Sequence, residues 1–155
     1  MKLTSPSNKH LEDIMTWFSS KQLLLNWSGT SFRYPFDLTT FTEDLNLKEI
    51  NSFSMISADS QCVAFGQYYQ RMGRCHVGRL VVNPSFRGKG IVVDLINQLC
   101  ELGFAEYTVK ECSLFVMNDN HQAIKAYQKI GFKFAKYPDE LPVKNCLYMI
   151  RKEKR

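Results

Sequence analysis

Two glycines and two basic residues form the run Arg87-Gly88-Lys89-Gly90, between a strand-like and a helix-like segment. Glycine lacks a Cβ, so the main chain at such a junction can approach a ligand closely. The first amide groups of a helix have no partner within the helix and lie at the positive end of its dipole. With two cationic side chains beside them, these amides suit a phosphate or diphosphate. We therefore predict an anion-binding turn here.

Two common phosphate-binding loops do not describe this turn. The chain lacks the Walker A pattern G-x-x-x-x-G-K-[ST], and Val93 stands at the third glycine of the dinucleotide pattern G-x-G-x-x-G. A second pattern lies downstream, where residues 120–132 read N-x-x-A-x-x-x-Y-x-x-x-G-F. This block has helical spacing and closes on Gly131, a residue suited to ending a helix.

The two blocks together resemble the GCN5-related N-acetyltransferase (GNAT) family. That family's first motif, [QR]-x-x-G-x-[GA], is matched by Arg87 and Gly90, whereas Val92 stands where glycine or alanine is expected. The resemblance is firm from Val77 to Phe132. It implies an α/β (α+β) fold with a mixed, mostly antiparallel sheet flanked by helices, as a single N-acetyltransferase domain over residues 1–155.

The resemblance also implies acetyl-CoA as co-substrate. It implies that strand backbone pairs with the pantetheine arm, and that the turn, with the Arg87 and Lys89 side chains, holds the diphosphate. Asn120 is expected to hydrogen-bond the pantetheine arm or simply to cap its helix, and one residue can do both. No metal is predicted. The implied coenzyme residues are Leu80, Val81, Val82, Arg87, Gly88, Lys89, Gly90, Ile91, Val92 and Asn120.

Tyr127, inside the second block, is the predicted catalytic residue. Attack of an amine on the thioester expels CoA as a thiolate, which a phenol can stabilise. A free phenol has a pKa of about 10 and a thiol about 8.5, so complete proton transfer is uphill by roughly 2 kcal/mol. A hydrogen bond that strengthens as charge develops is the more plausible role. The alternative is a core tyrosine on an amphipathic helix.

The general base is a second prediction. GNAT enzymes often place a carboxylate on the strand before the glycine turn, but residues 75–82 contain none. His76 is the candidate base on this strand, because an unperturbed imidazole pKa near 6.5 suits proton acceptance. The alternatives are a histidine without a catalytic role and a water chain to bulk solvent. His121, by contrast, is predicted to lie exposed beside a helix cap.

Aromatic residues of the first half are candidates for the acceptor site, because aromatic walls can hold an aliphatic amine or a peptide end. They could equally cover the sheet. Glu43 and Asp44 could attract a cationic acceptor or simply be solvated. The aromatic set is Trp27, Phe32, Tyr34 and Phe36.

The elements that position these residues follow from hydrophobic spacing. We predict a short strand at 2–4, a helix from residue 6, a loop over 25–35 and a helix over 37–48. Strands are expected at 53–57, 61–70 and 75–82. A helix starting after Gly90 is predicted to bury Ile91, Leu95, Leu99 and Leu102. A strand at 112–116, a helix at 120–130 and strands at 132–137 and 146–150 complete the pattern.

Composition and charge narrow the function further. The chain has 155 residues, 45% hydrophobic and 23% charged, which is typical of a globular domain. A net charge of +5 suits an anionic ligand. The sequence shows no basic helix and no basic–aromatic patch of the kind that predicts nucleic-acid binding. The last basic residues are predicted to form a solvated tail: Arg151, Lys152, Lys154 and Arg155.

Five scattered cysteines, predicted buried, indicate neither zinc nor disulfides and favour a reducing cytoplasm. No apolar run reaches the length of a membrane span, and no secretory signal is recognised.

The sequence therefore predicts an N-acetyltransferase acting on a primary amine of a small molecule or peptide, by direct attack in a ternary complex. A monomer or homodimer is expected. The alternative is a catalytically degenerate module that binds CoA as a sensor or scaffold, which Val92 and the missing strand carboxylate favour.

Overall fold

The computed structural model of the chain describes residues 1–153; Lys154 and Arg155 of the predicted tail lie outside the described residues. The described part contains five α-helices and seven strands. The helices are α1 (Asn8–Met15), α2 (Lys21–Ser28), α3 (Leu38–Leu45), α4 (Ile91–Tyr107) and α5 (His121–Lys129). The strands are β1 (Lys2–Thr4), β2 (Asn51–Ile56), β3 (Cys62–Arg71), β4 (Arg74–Val82), β5 (Glu111–Met117), β6 (Lys133–Ala135) and β7 (Cys146–Lys152).

The seven strands of the described residues form one sheet in the order β1-β2-β3-β4-β5-β7-β6. β1 pairs with β2, and β7 pairs with both β5 and β6, all antiparallel. β4 and β5 are parallel, and their register pairs Cys75 with Cys112 and His76 with Ser113. A parallel pair needs a long crossover, and α4 lies in the connection between these strands. The predicted mixed, mostly antiparallel sheet with flanking helices is confirmed.

The chain divides into two compact units. The first comprises Met1–Gln67 and Arg79–Leu95, and the second comprises Tyr68–Gly78 and the chain from Ile96 onward. β3, β4 and α4 therefore contribute residues to both units. The single N-acetyltransferase domain over 1–155 stays a prediction.

The first unit is built around apolar faces of its helices. α1 begins at a capping box formed by Ser7 and His10, and it buries Leu11 and Ile14. α3 begins at a second capping box, formed by Asp37 and Thr40. Such boxes satisfy backbone amides that a helix leaves unpaired at its start. The buried cluster of this unit includes Phe18, Leu24, Phe32, Phe41, Leu45 and Phe65.

The predicted loop over 25–35 is wrong in its first part, where α2 runs from Lys21 to Ser28. The Ser20 hydroxyl caps the helix by accepting from the amide of Leu23 at 3.2 Å. Leu24 is buried, and the ring centroid of Trp27 lies 4.6 Å from that of Phe18. Packing of Leu24 and Trp27 stabilises α2. The spacing of apolar residues in this short segment does not by itself predict a helix.

In the second unit the elements follow the prediction with small shifts. Asn120 and Ile130 are the caps of α5 rather than members of it, and β6 is shorter than predicted. The five cysteines are buried, as predicted. Arg151 was expected in a solvated tail but is 7% exposed, because it lies on β7 in register with Cys112.

The buried stripe of α4 also differs from the prediction. Leu102 is 38% exposed. Its neighbours Ile91, Leu95 and Leu99 are buried. Because successive helical residues are about 100° apart, Leu102 lies within about 20° of Leu95 around the helix axis, so helical spacing does not account for its exposure. Within residues 1–153, no helix combines the length and apolarity needed to cross a membrane.

Candidate functional site

In the first unit, the loop between β4 and α4 presents main-chain groups and positive charge to solvent. Gly88 and Gly90 have φ values of 79° and 73°, which glycine adopts without a Cβ clash. A Cβ on either would meet no atom of the described residues within 4 Å. Arg87 and Lys89 are exposed, and α4 begins immediately afterwards at Ile91. The turn thus has the open, cationic form expected of an anion seat.

The strand before the turn is held in place at its end. The amide of Asn83 donates to the carbonyl of Val63 at 2.8 Å. Its side-chain Nδ2 donates to the carbonyl of Cys62 at 3.3 Å, and its Oδ1 accepts from the amide of Ser85. These bonds anchor the segment that connects residues 80–82 to the glycine turn. The resemblance places the pantetheine arm along Leu80, Val81 and Val82.

Arg79 is a residue of this strand that the sequence analysis missed. Its φ of 47° interrupts the extended backbone of β4. Its guanidinium donates to Oε1 of Gln67 at 3.0 Å and to Oγ of Ser31 at 3.2 Å, and lies 5.0 Å from the Phe32 ring centroid. Gln67 in turn donates to the carbonyl of Leu45 at 2.8 Å. Arg79 therefore ties the aromatic segment and the end of α3 to β4.

Gly78 is a sequence signal for the interruption of β4 at Arg79. Glycine inside a strand pattern often marks a bulge, but the contacts of the following arginine depend on residues far away in the chain.

The predicted acceptor aromatics divide into core and surface residues. The ring centroids of Trp27 and Phe32 lie 5.4 Å apart, and both pack on Phe41. Phe32 is only 6% exposed, whereas Tyr34 is 43% exposed. Tyr34 contacts Phe36, with ring centroids 5.9 Å apart. Sheet covering thus accounts for Trp27 and Phe32, and Tyr34 has the exposure that contact with a bound acceptor requires.

The acidic pair of α3 is already engaged by a cation. Arg33 donates to Asp44 twice, from Nη2 to Oδ1 at 2.9 Å and from its backbone amide to Oδ2 at 2.9 Å. Its Nη2 also lies 3.2 Å from Oε2 of Glu43. The Arg33 guanidinium lowers the pKa of Asp44 by hydrogen bonding. The single positive charge of Arg33 offsets one of the two negative charges, which weakens the predicted attraction of the pair for a cationic acceptor.

In the second unit, α5 carries the other predicted residues. Oδ1 of Asn120 accepts from the amide of Ala123 at 3.2 Å, so this side chain caps the helix. The NH₂ end of the same side chain takes no part in this cap. Tyr127 is 8% exposed, and burial raises the pKa of its phenol to about 12. His121 is exposed at the start of α5, as predicted.

His76 lies in a buried setting on the sheet of the second unit. It is 2% exposed, its Nδ1 is 2.8 Å from Oγ of Ser113, and its ring centroid is 4.6 Å from that of Phe115. Burial, with a smaller effect of the Arg71 charge, lowers the pKa of His76 to about 3. An imidazole that resists protonation this strongly is a poor proton acceptor at neutral pH.

The comparison with protein families identifies the family of this chain. The model of the family described as the acetyltransferase (GNAT) family matches residues 16–132. The chain belongs to the GNAT acetyltransferase family. This confirms the resemblance inferred from the two blocks, and the predicted enzyme class, an acetyl-CoA-dependent acetyltransferase, is that of the family. Among residues 1–153, no His, Cys, Asp and Glu side chains are grouped so as to hold a metal ion.

Individual relatives agree with this family. A curated relative, glucosamine 6-phosphate N-acetyltransferase from Trypanosoma brucei brucei, is 33% identical over 67 residues, which are 42% of this chain and 43% of that protein. The GNAT chain thus overlaps less than half the length of that relative.

Two solved structures share the fold. Spermidine N-acetyltransferase from Vibrio cholerae, in complex with CoA and spermine, has a TM-score of 0.75 at 17% identity, covering 98% of this chain and 95% of its own. PaiA N-acetyltransferase from Thermoplasma acidophilum, in complex with coenzyme A, has a TM-score of 0.71 at 18% identity, covering 97% and 98%.

Proposed function

We propose that this GNAT protein transfers the acetyl group of acetyl-CoA to a primary amine by direct attack in a ternary complex. The observation that carries the proposal is the family match over residues 16–132, which contains both sequence blocks. The structural relatives crystallised with coenzyme A support the same co-substrate. The curated relative, named for an amino-sugar substrate, and the neighbour crystallised with spermine support an amine acceptor.

The proposed coenzyme seat uses the glycine turn and the strand before it. The amides of residues 88–92 donate hydrogen bonds to the diphosphate, and Arg87 and Lys89 add charge from exposed positions. Val92 is half-buried, and an amide needs no particular side chain to donate, so the departure from the family motif leaves this function intact. Backbone groups of Leu80–Val82 pair with the pantetheine arm as an added strand would.

The acceptor must lose a proton before it attacks. An alkyl ammonium has a pKa of about 10.4, so offering the neutral amine at pH 7 costs about 4–5 kcal/mol. Because His76 stays neutral down to low pH, it does not supply a base with a matched pKa. We assign this step to water that relays the proton to bulk solvent. The amine nitrogen then forms its bond to the thioester carbon.

Tyr127 is proposed to stabilise the leaving sulfur. The carbon–sulfur bond breaks and the electron pair stays on sulfur. A phenol pKa of about 12 against about 8.5 for a thiol makes full proton transfer uphill by about 3.5 units, or about 5 kcal/mol. Tyr127 therefore donates a hydrogen bond to the thiolate and keeps its proton, and the ammonium product or solvent supplies the proton of the released thiol.

A second candidate function is a CoA-binding module without turnover. The observation in its favour is the absence, among residues 75–82, of a carboxylate, together with the low pKa of His76. Such a module would bind acetyl-CoA as a sensor or scaffold.

One pair of measurements separates the two. Thiol release is followed with a panel of polyamines, amino sugars, amino acids and peptide N-termini, and acetyl-CoA binding is measured by calorimetry. Turnover on at least one amine, with double-reciprocal lines that intersect, supports direct transfer. Parallel lines contradict the ternary complex. Tight binding without turnover on any class supports the module, and no binding at millimolar acetyl-CoA removes both.

Other expectations stay predictions. A monomer or homodimer, a cytoplasmic location and the lack of a nucleic-acid or membrane partner follow from the sequence analysis alone. Size-exclusion chromatography with light scattering tests the first.

A further inference from the structure

Arg79 has a backbone conformation that arginine rarely adopts inside a strand. Its φ is 47°, and it lies within the nine residues of β4. The other non-glycine residues of the described chain with a positive φ all lie outside helices and strands: Asn46, Ser60, Met72, Thr108 and Asn145. A strained backbone persists only where surrounding contacts hold it, and such residues cluster at ligand-binding sites. The contacts of the Arg79 side chain therefore bear on function.

The guanidinium of Arg79 bridges two segments of the first unit. Its Nη1 donates to Oε1 of Gln67 on β3 at 3.0 Å, and its Nη2 donates to Oγ of Ser31 at 3.2 Å. Gln67 is 1% exposed, and its Nε2 donates at 2.8 Å both to the carbonyl of Leu45 and to Oγ of Ser52. Ser31 is exposed. Arg79 thus joins an exposed segment to a buried amide that is itself held in place.

Each of the three residues before Tyr34 is anchored. Ser31 accepts from Arg79, and the Phe32 ring centroid lies 5.0 Å from the Arg79 guanidinium. The backbone amide of Arg33 donates to a carboxylate oxygen of α3 at 2.9 Å. Tyr34 follows directly and is exposed. The exposed ring suited to acceptor contact is therefore carried by a segment that Arg79 and α3 hold.

Arg79 also directly precedes the strand segment proposed to bind the coenzyme. The backbone groups assigned to the pantetheine arm belong to Leu80–Val82, the next three residues of the chain. An irregular residue of a strand re-aims its side chain, commonly beside an active site. Arg79 thus contacts the aromatic segment with its side chain and continues into the coenzyme segment with its main chain.

We propose that Arg79 is a positioning residue for the acceptor amine: through Ser31 and Phe32 it holds residues 31–34 so that the Tyr34 ring forms one wall of the acceptor site. This inference rests on the proposed acetyl transfer. Arg79 itself has no contact with the reacting atoms. A wall that is already ordered loses little conformational freedom when the amine binds, so loss of this order weakens amine binding.

The sign of the expected effect separates positioning from simple electrostatics. The pKa of Asp44 is lowered chiefly by its hydrogen bond with Arg33, and the charge of Arg79 adds to the effect, so this charge acts on the surroundings of the aromatic segment. An alkyl amine, with a pKa of about 10.4, arrives as a cation at pH 7. Removing a positive charge near it would by itself strengthen binding. Weaker amine binding without Arg79 therefore reports lost positioning.

The main test is Arg79→Met in the full chain, because methionine keeps an unbranched side chain but has no charge and no donor. On an amine that the wild type acetylates, we expect KM for the amine to rise about tenfold and KM for acetyl-CoA to change less than about twofold. An unchanged or lower KM for the amine overturns the proposal.

The matched control is Arg74→Met, which changes another half-buried arginine of β4. Nε of Arg74 donates to Oε1 of Glu111 at 3.0 Å, and its Nη1 donates to the Tyr148 hydroxyl at 3.5 Å, so this variant also loses two side-chain bonds. Both KM values should stay within about twofold of the wild type. A rise in KM for the amine equal to that of Arg79→Met would assign the effect to general destabilisation and overturn the proposal.

Ser31→Ala tests the same contact from an exposed position, and it serves if Arg79→Met does not fold. We expect KM for the amine to rise about threefold, and the double variant Ser31→Ala/Arg79→Met to equal Arg79→Met alone, since both changes remove one shared bond. An unchanged KM in Ser31→Ala, or effects that multiply in the double variant, contradicts the tie between Arg79 and Ser31.

Hydrogen exchange followed by peptide mass spectrometry measures the order of the segment without turnover. In Arg79→Met, the peptide covering residues 29–36 should exchange at least about tenfold faster than in the wild type, whereas peptides from β7 should keep their rates. Equal exchange overturns the proposal. Failure of the proposed function is distinct: a wild type that acetylates no amine removes acetyl transfer and the acceptor role together, whereas an active wild type with unchanged amine KM in Arg79→Met overturns this inference alone.

Discussion

At the level of single residues, burial determines how Tyr127 can act in the proposed reaction. Its phenol has a pKa of about 12, so it can donate a hydrogen bond to a thiolate, whereas complete transfer of its proton to sulfur is uphill by about 5 kcal/mol. A hydrogen bond to a charged acceptor contributes about 1.5–3 kcal/mol, which is roughly 10- to 150-fold in rate.

We therefore expect Tyr127→Phe to lower kcat by about 10- to 100-fold while KM for acetyl-CoA changes less than about twofold. Steady-state kinetics on an active acceptor measures both. Tyr107→Phe, a tyrosine of α4 outside the proposed site, is the matched control and should retain wild-type kcat. An unchanged kcat in Tyr127→Phe would assign this residue to the core alone.

His76 makes a prediction about stability rather than catalysis. Its folded pKa of about 3 lies below the ordinary value of 6.5, so the unfolded chain binds the proton more readily. Its contribution to stability is complete above pH 6.5 and is lost as pH falls from 6.5 towards 3. The slope of the free energy of unfolding from one such group approaches about 1.4 kcal/mol per pH unit.

Urea titrations between pH 4 and 6.5 test this. In His76→Gln we expect the free energy of unfolding to fall less steeply with acid than in the wild type, by up to that slope. His121→Gln, which changes an exposed histidine, should keep the wild-type slope. Parallel curves for wild type and His76→Gln would mean that His76 is protonated in the folded chain.

At the level of elements, the glycine turn before α4 combines two requirements, a left-handed backbone and an open approach. Alanine at Gly88 or Gly90 would meet the strain of a positive φ, about 1–2 kcal/mol. Gly73, in the turn between β3 and β4, has a similar φ of 72° and equally open surroundings among the described residues. Alanine at Gly73 therefore measures the cost of backbone strain without the loss of the proposed ligand seat.

We expect Gly90→Ala and Gly73→Ala to lose similar stability in thermal melts. Only Gly90→Ala should also raise KM for acetyl-CoA, by about tenfold, because the amides that receive the diphosphate are displaced. A comparable rise in Gly73→Ala, or none in Gly90→Ala, would contradict the proposed seat.

At the level of the whole molecule, the net charge of +5 favours encounter with a polyanionic coenzyme. Because salt screens charges over about 10 Å at 0.1 M, KM for acetyl-CoA should rise with ionic strength. The question is how much of this effect belongs to the turn and how much to the overall charge.

Two double variants with the same net charge answer it. We expect Arg87→Gln/Lys89→Gln to raise KM for acetyl-CoA about tenfold at low salt and to flatten its salt dependence. Lys133→Gln/Lys136→Gln removes two exposed charges elsewhere and should change KM less than about twofold. Equal effects would assign the attraction to overall charge rather than to the turn.

The family and the proposed coenzyme seat could be predicted from the sequence, because their signals are consecutive residues. The run around Gly88 and Gly90 and the block ending at Phe132 fix chemistry and spacing within a single turn or helix. Backbone conformation at such positions depends mostly on near neighbours, and the structure has the open turn and the capped helix where the pattern predicts them.

Burial and register had to come from the fold. His76 loses its suitability as a base, and Arg151 leaves the predicted tail, because strands distant in sequence enclose them. Cys75, Cys112 and Arg151 lie side by side only through the pairing of β4, β5 and β7. A pKa depends on the solvent and charges around a group, and those neighbours are brought together by chain pairing that no local spacing encodes.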